Sequence, residues 1–243
     1  MKKNILVTGG ASGLGRSITE LLCENKSNEV YFTYFSSVDA ARELEKQFPN
    51  AHGIKADFSV RNEMEALNAK LADINLDVLI NNALPHKFEQ THFHKMEYDV
   101  FVNGFMNNVM PVVELTRAAI ALFRKKKSGK IITVLSSYII NKPPIGFSEY
   151  AASKAYLLSL AKSWASEYAA FNITSNCISP SFMLTALASD VDERIIEENR
   201  QKHPLKRLLT TGETAGSVAY LVDASAHVNG INLVINAAEN IAS

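Results

Sequence analysis

The chain has 243 residues, of which 47% are hydrophobic and 21% charged, and its formal net charge is +0. This composition is typical of a globular protein that buries a sizeable core without metal or disulfide support. The neutral charge balance argues against nucleic acid or an anionic membrane surface as the main partner. Cys23 and Cys177 lie far apart and are expected to be free, buried thiols, and the histidines show no metal-ligand spacing with them.

Neither a membrane span nor a leader segment is expected. The sequence contains no apolar run of the length that a membrane span requires, and the run after Met1 is too short for a signal peptide. We therefore expect a cytoplasmic protein in a reducing compartment. The lysine-rich run at 124–127 is interpreted as the solvated end of a helix.

Short apolar runs of strand length alternate with helical patterns along the chain. Strands are predicted at 5–7, 29–35, 52–56, 76–80, 130–135, 172–178 and 230–235. Helices are predicted at about 13–25, 38–48, 61–73, 95–127 and 150–170. Because the strands are almost continuously apolar, they fit a parallel sheet that is covered on both faces. The prediction is one doubly wound α/β domain over residues 1–243, with about seven parallel strands.

Three glycines, Gly9, Gly13 and Gly15, separate the first predicted strand from the first helix. Glycine costs conformational entropy at such a junction, so some gain is expected to offset that cost. A glycine turn lets the backbone approach a pyrophosphate, and the free N–H groups at the helix start favour an anion. A tight turn without a ligand would use the same residues, so the glycines alone leave both interpretations open.

The spacing TG-x3-G-x-G resembles that of the short-chain dehydrogenase/reductase family, and further motifs of that family follow in order. Asp57 stands in KADFS, Asn81 begins NNA after the fourth strand, and Tyr150 and Lys154 stand in YAASK. NCISP at 176–180 and the stretch from 203 to 222 extend the resemblance over essentially the whole chain. Among the members of the family, the chain resembles 3-oxoacyl-acyl-carrier-protein reductases.

The resemblance implies a Rossmann-type fold and hydride transfer between a nicotinamide cofactor and a carbonyl or alcohol substrate. Tyr150 would be the general acid/base, and Lys154 would hold the nicotinamide ribose. The two residues are four apart, so they share one helix face, and a nearby ammonium lowers the pKa of a phenol. A tyrosine tuned in this way suits an alcohol–carbonyl pair.

Two further catalytic positions are implied, each with an alternative. A serine at the end of the fifth strand would hold the substrate oxygen. The spacing to Tyr150 favours Ser137, whereas counting along the strand favours Ser136. An asparagine in the preceding helix would hold a water of the proton relay. Asn108 is preferred there, Asn107 is the alternative, and Asn103 is a weaker candidate.

The cofactor-binding residues that the resemblance implies lie in the glycine turn and at the strand ends. They are Thr8, Gly9, Ser12, Gly13, Leu14, Gly15, Tyr34, Ser36, Asp57, Phe58, Asn82, Ala83, Tyr150, Lys154, Pro180 and Thr185. NAD-preferring relatives place an acidic residue near Thr33, and none stands here before Asp39. Phe35 replaces the arginine of many NADP relatives, which leaves Arg16 as the nearest basic residue. NADP is favoured, and NAD remains possible.

The chain departs from the family pattern at three glycine positions. Leu84, Ser181 and the pair Ala237-Ala238 stand there instead. These changes are expected to alter the substrate side, where a loop at about 181–207 would cover the pocket. The candidate substrate-side residues are Leu84, Pro85, His86, Tyr138, Pro143, Pro144, Phe147, Phe182, Met183, Leu184 and Leu187.

Two other classes of protein share this fold pattern: a dinucleotide-binding sensor or assembly subunit without turnover, and a nucleoside-binding methyltransferase. The serine–tyrosine–lysine set favours an enzyme, because neither alternative needs it. The expected partner is a small carbonyl or alcohol compound, with no metal, nucleic acid or membrane. The helices at 95–127 and 150–170 resemble the subunit contacts of the family, which implies a homotetramer or homodimer.

Overall fold

The computed structural model describes residues 2–85, 90–140, 142–185, 192–239 and 241. Within these residues, parallel strands form one sheet in the order β3-β2-β1-β4-β5-β6-β7. The strands are β1 (Lys3–Val7), β2 (Asn28–Tyr34), β3 (Ala51–Lys55), β4 (Val78–Asn81), β5 (Gly129–Val134), β6 (Ile173–Pro180) and β7 (Asn232–Ile235). The predicted doubly wound α/β class with about seven parallel strands is confirmed.

Helices pack on both faces of the sheet. They are α1 (Gly13–Glu24), α2 (Val38–Gln47), α3 (Arg61–Asp73), α4 (Tyr98–Gly104), α5 (Met110–Lys126), α6 (Ser148–Tyr168), α7 (Glu193–Lys202) and α8 (Thr211–Asp223). Side chains alternate across each strand, which explains why the strands read as continuous apolar runs. In β1, for example, Ile5 and Val7 pack into one buried cluster with α1 and α8, and Leu6 packs into another with α3 and α5.

The strand order reverses between β1 and β4, which pair with each other although two strands lie between them in the chain. The chain first builds the sheet outward through β2 and β3 and then returns to the other side of β1. The pairing continues just beyond the strands, where the Thr8 N–H donates to the Ile80 carbonyl at 3.0 Å. A crevice at such a switch point, at the carboxyl ends of the strands, is the usual place for a ligand in this architecture.

The single long helix predicted over 95–127 is wrong. The structure has a short 3₁₀ turn at Phe93–Lys95, then α4, a π-helical turn at Phe105–Val109, and α5. Pro111 explains the break, because it lacks the N–H that would bond to the carbonyl of Asn107 in a regular helix. The N–H of Met110 instead reaches back five residues to the carbonyl of Phe105. The break places two asparagines, Asn107 and Asn108, in an irregular turn.

Both cysteines are free and buried, as predicted. Burial raises the pKa of Cys23 and of Cys177 to about 12, so both thiols are protonated at neutral pH. No helix in the described part of the chain is long and apolar enough to cross a membrane. In the same residues, no group of three or more histidine, cysteine or acidic side chains is placed to hold a metal ion.

Candidate active site

A cavity of about 790 Å³ lies at the carboxyl ends of the central strands. Its walls come from the glycine turn after β1, the ends of β2 to β6, and the first turns of α6. Its volume is within the range of small-molecule and cofactor sites. Of the predicted cofactor-binding residues, all except Thr8 line this cavity.

The glycine turn forms one end of the cavity. Gly9 and Gly13 have positive φ angles of 65° and 52°, a backbone conformation that favours glycine. At Gly15, an added Cβ would lie 2.0 Å from the carbonyl oxygen of Gly9, so no larger residue fits. This close backbone packing opens the start of α1 toward the cavity, where its N–H groups favour a pyrophosphate.

Thr8 has a structural position behind this turn. It is buried, and its hydroxyl accepts hydrogen bonds from the N–H groups of Asn82 and Ala83 at 2.9 and 3.0 Å. The Asn82 side chain returns a bond to the Thr8 carbonyl at 2.9 Å. These bonds tie the end of β1 to the end of β4 and hold the floor of the crevice.

Asp57 and Thr185 mark two further sides of the cavity. The Asp57 carboxylate accepts bonds from the N–H and hydroxyl of Ser59 at 2.9 and 2.7 Å, which fix its orientation. Thr185 lies beside the glycine turn, since a Cβ added to Gly13 would lie 3.4 Å from the Cβ of Thr185. The segment that follows β6 therefore approaches the turn closely at this side of the cavity.

Tyr150, Lys154 and Ser136 meet at the inner end of the cavity. The hydroxyls of Ser136 and Tyr150 form a hydrogen bond. The Lys154 ammonium donates to the Val134 carbonyl at 2.9 Å and lies 5.8 Å from the centre of the Tyr150 ring. The end of β5 and the first turns of α6 thus bring a hydroxyl pair and a buried cation together.

The two candidate serines occupy different places. Ser136 lines the cavity, and its Oγ also accepts a bond from the Tyr138 N–H at 3.2 Å. Ser137 begins a 3₁₀ turn, is 3% exposed, and is not among the lining residues. The geometry thus favours Ser136 over the Ser137 that the spacing to Tyr150 favoured. Ser136 stands 14 residues before Tyr150, whereas Ser137 stands 13 residues before it.

The candidate asparagines lie in the π-helical turn before α5. Asn107 lines the cavity, whereas Asn108 is buried beside it at 6% exposure and is not a lining residue. The turn packs against α6, the helix that carries Tyr150 and Lys154. Both asparagines therefore remain close to the site, with Asn107 nearer to the open space.

Burial dominates the proton affinities of the site. The pKa of Tyr150 is raised, mainly by burial, while the bond to Ser136 lowers it and the charge of Glu149 raises it. Burial lowers the pKa of Lys154 to about 8, and the charge of Glu149 partly opposes that effect. The sequence predicted a lowered pKa for this phenol, whereas burial in the structure raises it.

Aromatic rings line the part of the cavity that was predicted to hold the substrate. Tyr138, Phe147 and Tyr150 contact one another edge to face, with ring centres 5.2 to 6.4 Å apart. Burial raises the pKa of Tyr138 to about 12. The predicted substrate-side residues that line the cavity are Leu84, Pro85, Tyr138, Phe147, Phe182 and Met183.

Other predicted substrate-side residues lie elsewhere. Pro143 and Pro144 line a separate depression beside Phe93. Leu184 is 51% exposed and does not line the cavity. His86 and Leu187 lie outside the described residues, as does part of the predicted loop at 181–207.

One polar contact near the site had not been predicted from the sequence. Glu149, the neighbour of Tyr150, is 5% exposed, and its Oε1 accepts a bond from Ser153 at 2.8 Å. The carboxylate packs directly on α4, where a Cβ added to Gly104 would lie 2.1 Å from it. The four-residue spacing of Glu149 and Ser153 on one helix face is the only sequence signal for this contact.

Comparisons with known proteins identify the family of the chain. The family model described as enoyl-(acyl-carrier-protein) reductase matches residues 9–237. An acetoacetyl-CoA reductase of Acinetobacter sp. (strain RA3849) is 30% identical, with 97% of this chain and 96% of the relative covered. The 3-oxoacyl-acyl-carrier-protein reductase FabG of Vibrio harveyi is 29% identical, with 96% of each chain covered.

A solved structure described as a short chain dehydrogenase/reductase family protein has the same fold. Its TM-score is 0.84 at 24% identity, with 96% of this chain and 95% of that chain covered. Fold and relatives together define a Rossmann-type oxidoreductase that uses a nicotinamide cofactor. Because the family model spans nearly the whole sequence, the chain belongs to the short-chain dehydrogenase/reductase family, and the resemblance drawn from its motifs is confirmed.

Proposed function

We propose that the protein reduces a carbonyl compound, or oxidises the corresponding alcohol, with Tyr150 as the general acid/base. The observation that carries this proposal is the Ser136–Tyr150 hydroxyl pair beside Lys154, in the same cavity as the glycine turn. A non-catalytic binding protein has no need of such a pair. The nicotinamide cofactor would supply or accept the hydride, and the residues of the chain would handle the oxygen and its proton.

The cavity residues fit a dinucleotide. The close packing at Gly15 leaves the backbone of the turn open to a pyrophosphate, and Asp57 and Phe58 lie where the adenine end would be held. NADP is the favoured form, because none of the described residues places a carboxylate at the end of β2, and NAD remains possible. Lys154 would hold the nicotinamide ribose, next to Tyr150.

The proposed roles follow from position and protonation. In carbonyl reduction, Ser136 donates a hydrogen bond to the carbonyl oxygen, and Tyr150 delivers the proton to that oxygen. The raised pKa of Tyr150 keeps the phenol protonated at neutral pH, which suits the reductive direction. Asn108 or Asn107, in the turn next to α6, would hold a water molecule through which Tyr150 regains the proton that it has given up.

A 3-oxoacyl thioester is the proposed first substrate class. Two relatives are named as reductases of acetoacetyl-CoA and of 3-oxoacyl-acyl-carrier protein. The apolar wall of Leu84, Phe147 and Met183 fits an uncharged acyl chain. The helical stretches at 95–127 and 150–170 resemble the subunit contacts of the family, which favours a homodimer or homotetramer. The two buried free thiols are consistent with the cytoplasmic location expected from the sequence.

The test is NAD(P)H oxidation by the purified protein with acetoacetyl-CoA, with crotonyl-CoA as the enoyl comparison. Consumption with acetoacetyl-CoA, abolished in Tyr150→Phe, supports carbonyl reduction. Consumption with crotonyl-CoA alone would instead indicate an enoyl reductase. Cofactor binding without turnover on either compound or on simple ketones would favour the sensor. A protein that binds neither nucleotide would contradict the proposal altogether.

A further inference from the structure

The end of β2 forms a cavity wall that is rich in hydroxyl groups. Thr33, Tyr34, Ser36 and Ser37 line it, and Ser12 faces the same region from the glycine turn. Ser12 and Ser37 precede α1 and α2, and neither side chain caps its helix. In this architecture the residue at the end of β2 contacts the 2′ position of the adenosine ribose, where NAD and NADP differ.

Charged side chains are absent from this wall among the described residues. The charged residues that line the cavity in that part of the chain are Asp57 and Lys154. Lys154 lies at the catalytic end, bonded to the Val134 carbonyl, and Ser59 orients Asp57 at the end of β3. Neither an acid that would repel a 2′-phosphate nor a base that would attract one lines the end of β2.

Arg16, the nearest basic residue in the sequence, is already engaged. Its Nε donates to Glu20 at 2.8 Å and its Nη1 to Glu43 at 3.3 Å. The bond to Glu20 is the main reason that the pKa of Arg16 is raised. Two carboxylates thus offset its single charge, and Arg16 does not line the cavity.

The nearest carboxylate on the other side also points away. Asp39, in the first turn of α2, has a side chain that is 96% exposed and lies 3.7 Å from Arg42. An acid at that position does not grip the ribose hydroxyls as the acid of an NAD-selective site does. The hydroxyl groups can donate or accept a hydrogen bond with a ribose 2′-OH and can donate one to a phosphate oxygen.

We infer that the 2′ subsite of this chain is neutral and binds NAD(H) and NADP(H) with affinities within about tenfold of each other. The stronger hydrogen bonds to an ionised phosphate are offset by the cost of removing its charge from water without a counter-ion. The inference rests on the proposed function, and it narrows the NADP preference to a small one. It also means that the preference depends little on salt, since no ion pair to the 2′-phosphate is formed.

The test is fluorescence titration of the protein with NADH and with NADPH, at low and at high salt. Phe35 lies at the rim of the wall and is 59% exposed, so a new side chain is tolerated there. Phe35→Arg is expected to tighten NADPH by about tenfold or more over Phe35→Gln, because a charge-assisted bond is the stronger kind. That gain should shrink at high salt. Ser36→Asp should weaken NADPH selectively, with Ser36→Asn as its matched control.

Arg16→Gln tests whether Arg16 leaves its glutamates for the phosphate. The inference expects the ratio of the two affinities to change less than threefold, about 0.6 kcal/mol. A wild-type preference for NADPH above about thirtyfold that collapses at high salt, or in Arg16→Gln, would overturn it. A comparable preference for NADH would overturn it too.

The outcome for the proposed function is separate. Binding of both nucleotides without reduction of any carbonyl would refute the catalytic proposal and leave the neutral subsite supported. Binding of neither nucleotide would refute both. Reduction of acetoacetyl-CoA with one nucleotide only, matched by a large affinity difference, would support the catalytic proposal and overturn the neutral subsite.

Discussion

Ser136 and Ser137 differ by one position in the chain and by their access to the reacting groups. β5 ends at Val134, so Ser136 enters the cavity and bonds to Tyr150, while Ser137 turns away into a 3₁₀ turn. Sequence spacing cannot decide between them, because a loop can gain one residue without moving either of its ends. The strand end, which the sheet fixes, is the better reference point.

We predict that Ser136→Ala lowers kcat/KM for carbonyl reduction by about a hundredfold, as loss of a donor to the developing oxyanion does in other enzymes. Ser137→Ala should change it by less than about threefold, because its side chain does not line the cavity. Steady-state kinetics of both variants, with thermal melts to verify folding, provide the measurement. A larger loss of kcat/KM in Ser137→Ala than in Ser136→Ala would assign the binding of the substrate oxygen to Ser137.

Lys154 is the group that we expect to set the pH dependence of cofactor binding. Its pKa is lowered to about 8 by burial, so the ammonium is lost as the pH rises through that value. The raised pKa of Tyr150 keeps the phenol protonated over the same range. We predict that kcat/KM for the nicotinamide cofactor in the reductive direction falls above pH 8, by about tenfold per unit.

Two variants separate Lys154 from Tyr150 in this profile. Lys154→Arg should abolish the fall, because a guanidinium stays charged throughout the range. In Tyr150→Phe, the affinity for the cofactor should weaken through the same pH as in the wild type. A fall that moves or disappears in Tyr150→Phe would assign it to the phenol instead.

At the scale of secondary-structure elements, the features that could be predicted are those with a clear apolar pattern or with a glycine turn between a strand and a helix. Apolar runs of strand length predicted the strands, and the glycine turn predicted the start of α1 and the position of the cavity. The break at 105–109 could not be derived from apolar periodicity, because α4 and α5 continue the same pattern on both sides of it. Pro111 is the residue that indicates the break, because it has no N–H to complete the hydrogen bonding of a regular helix.

The contact between α4 and α6 depends on Gly104 having no side chain. We predict that Gly104→Ala destabilises the protein by about 1–3 kcal/mol, because its Cβ would overlap the buried Glu149 carboxylate and displace it from Ser153. In a Glu149→Ala background, the same substitution should be neutral or stabilise by up to about 1 kcal/mol, the helix preference of alanine over glycine.

Urea unfolding of the two single variants and the double variant measures this coupling. Gly216→Ala is the matched control, because Gly216 lies in α8 with nothing within 4 Å of an added Cβ. It should be neutral or stabilise the protein. If Gly104→Ala lowered the free energy of unfolding equally with and without Glu149, overlap with Glu149 would not be the cause of the destabilisation.

At the scale of the whole molecule, the sequence predicted the layers but not the strand order. Continuous apolar strands require cover on both faces, which defines the layers. The order around β1 depends on which strands pair with each other, and the apolar pattern alone does not specify that pairing. The substrate side was the least predictable part, because its residues lie on loops whose paths depend on distant contacts. Pro143 and Pro144 therefore line a different depression from Phe147.

The surface of α4, α5 and α6 carries an apolar face that the single chain leaves in water. Tyr98, Val102, Met106 and Met110 recur every four residues and are 79%, 39%, 54% and 37% exposed. Tyr156 on α6 extends the face and is in edge contact with Phe105. An exposed apolar face of this kind is typical of a subunit contact, in agreement with the proposed homodimer or homotetramer.

We predict that the 26.8 kDa chain elutes as a dimer or tetramer and that Met106→Glu shifts it to a smaller species, because the assembly would bury the new charge without a partner. Met106 is exposed in the single chain, so the variant should still fold. Light scattering on a sizing column gives the mass. Ile195→Glu, an equally drastic change at a 45% exposed site on α7, should leave the mass unchanged. A monomeric wild type would show that the chain forms no stable subunit contact. An unaltered mass in Met106→Glu would show that the contact lies on another surface.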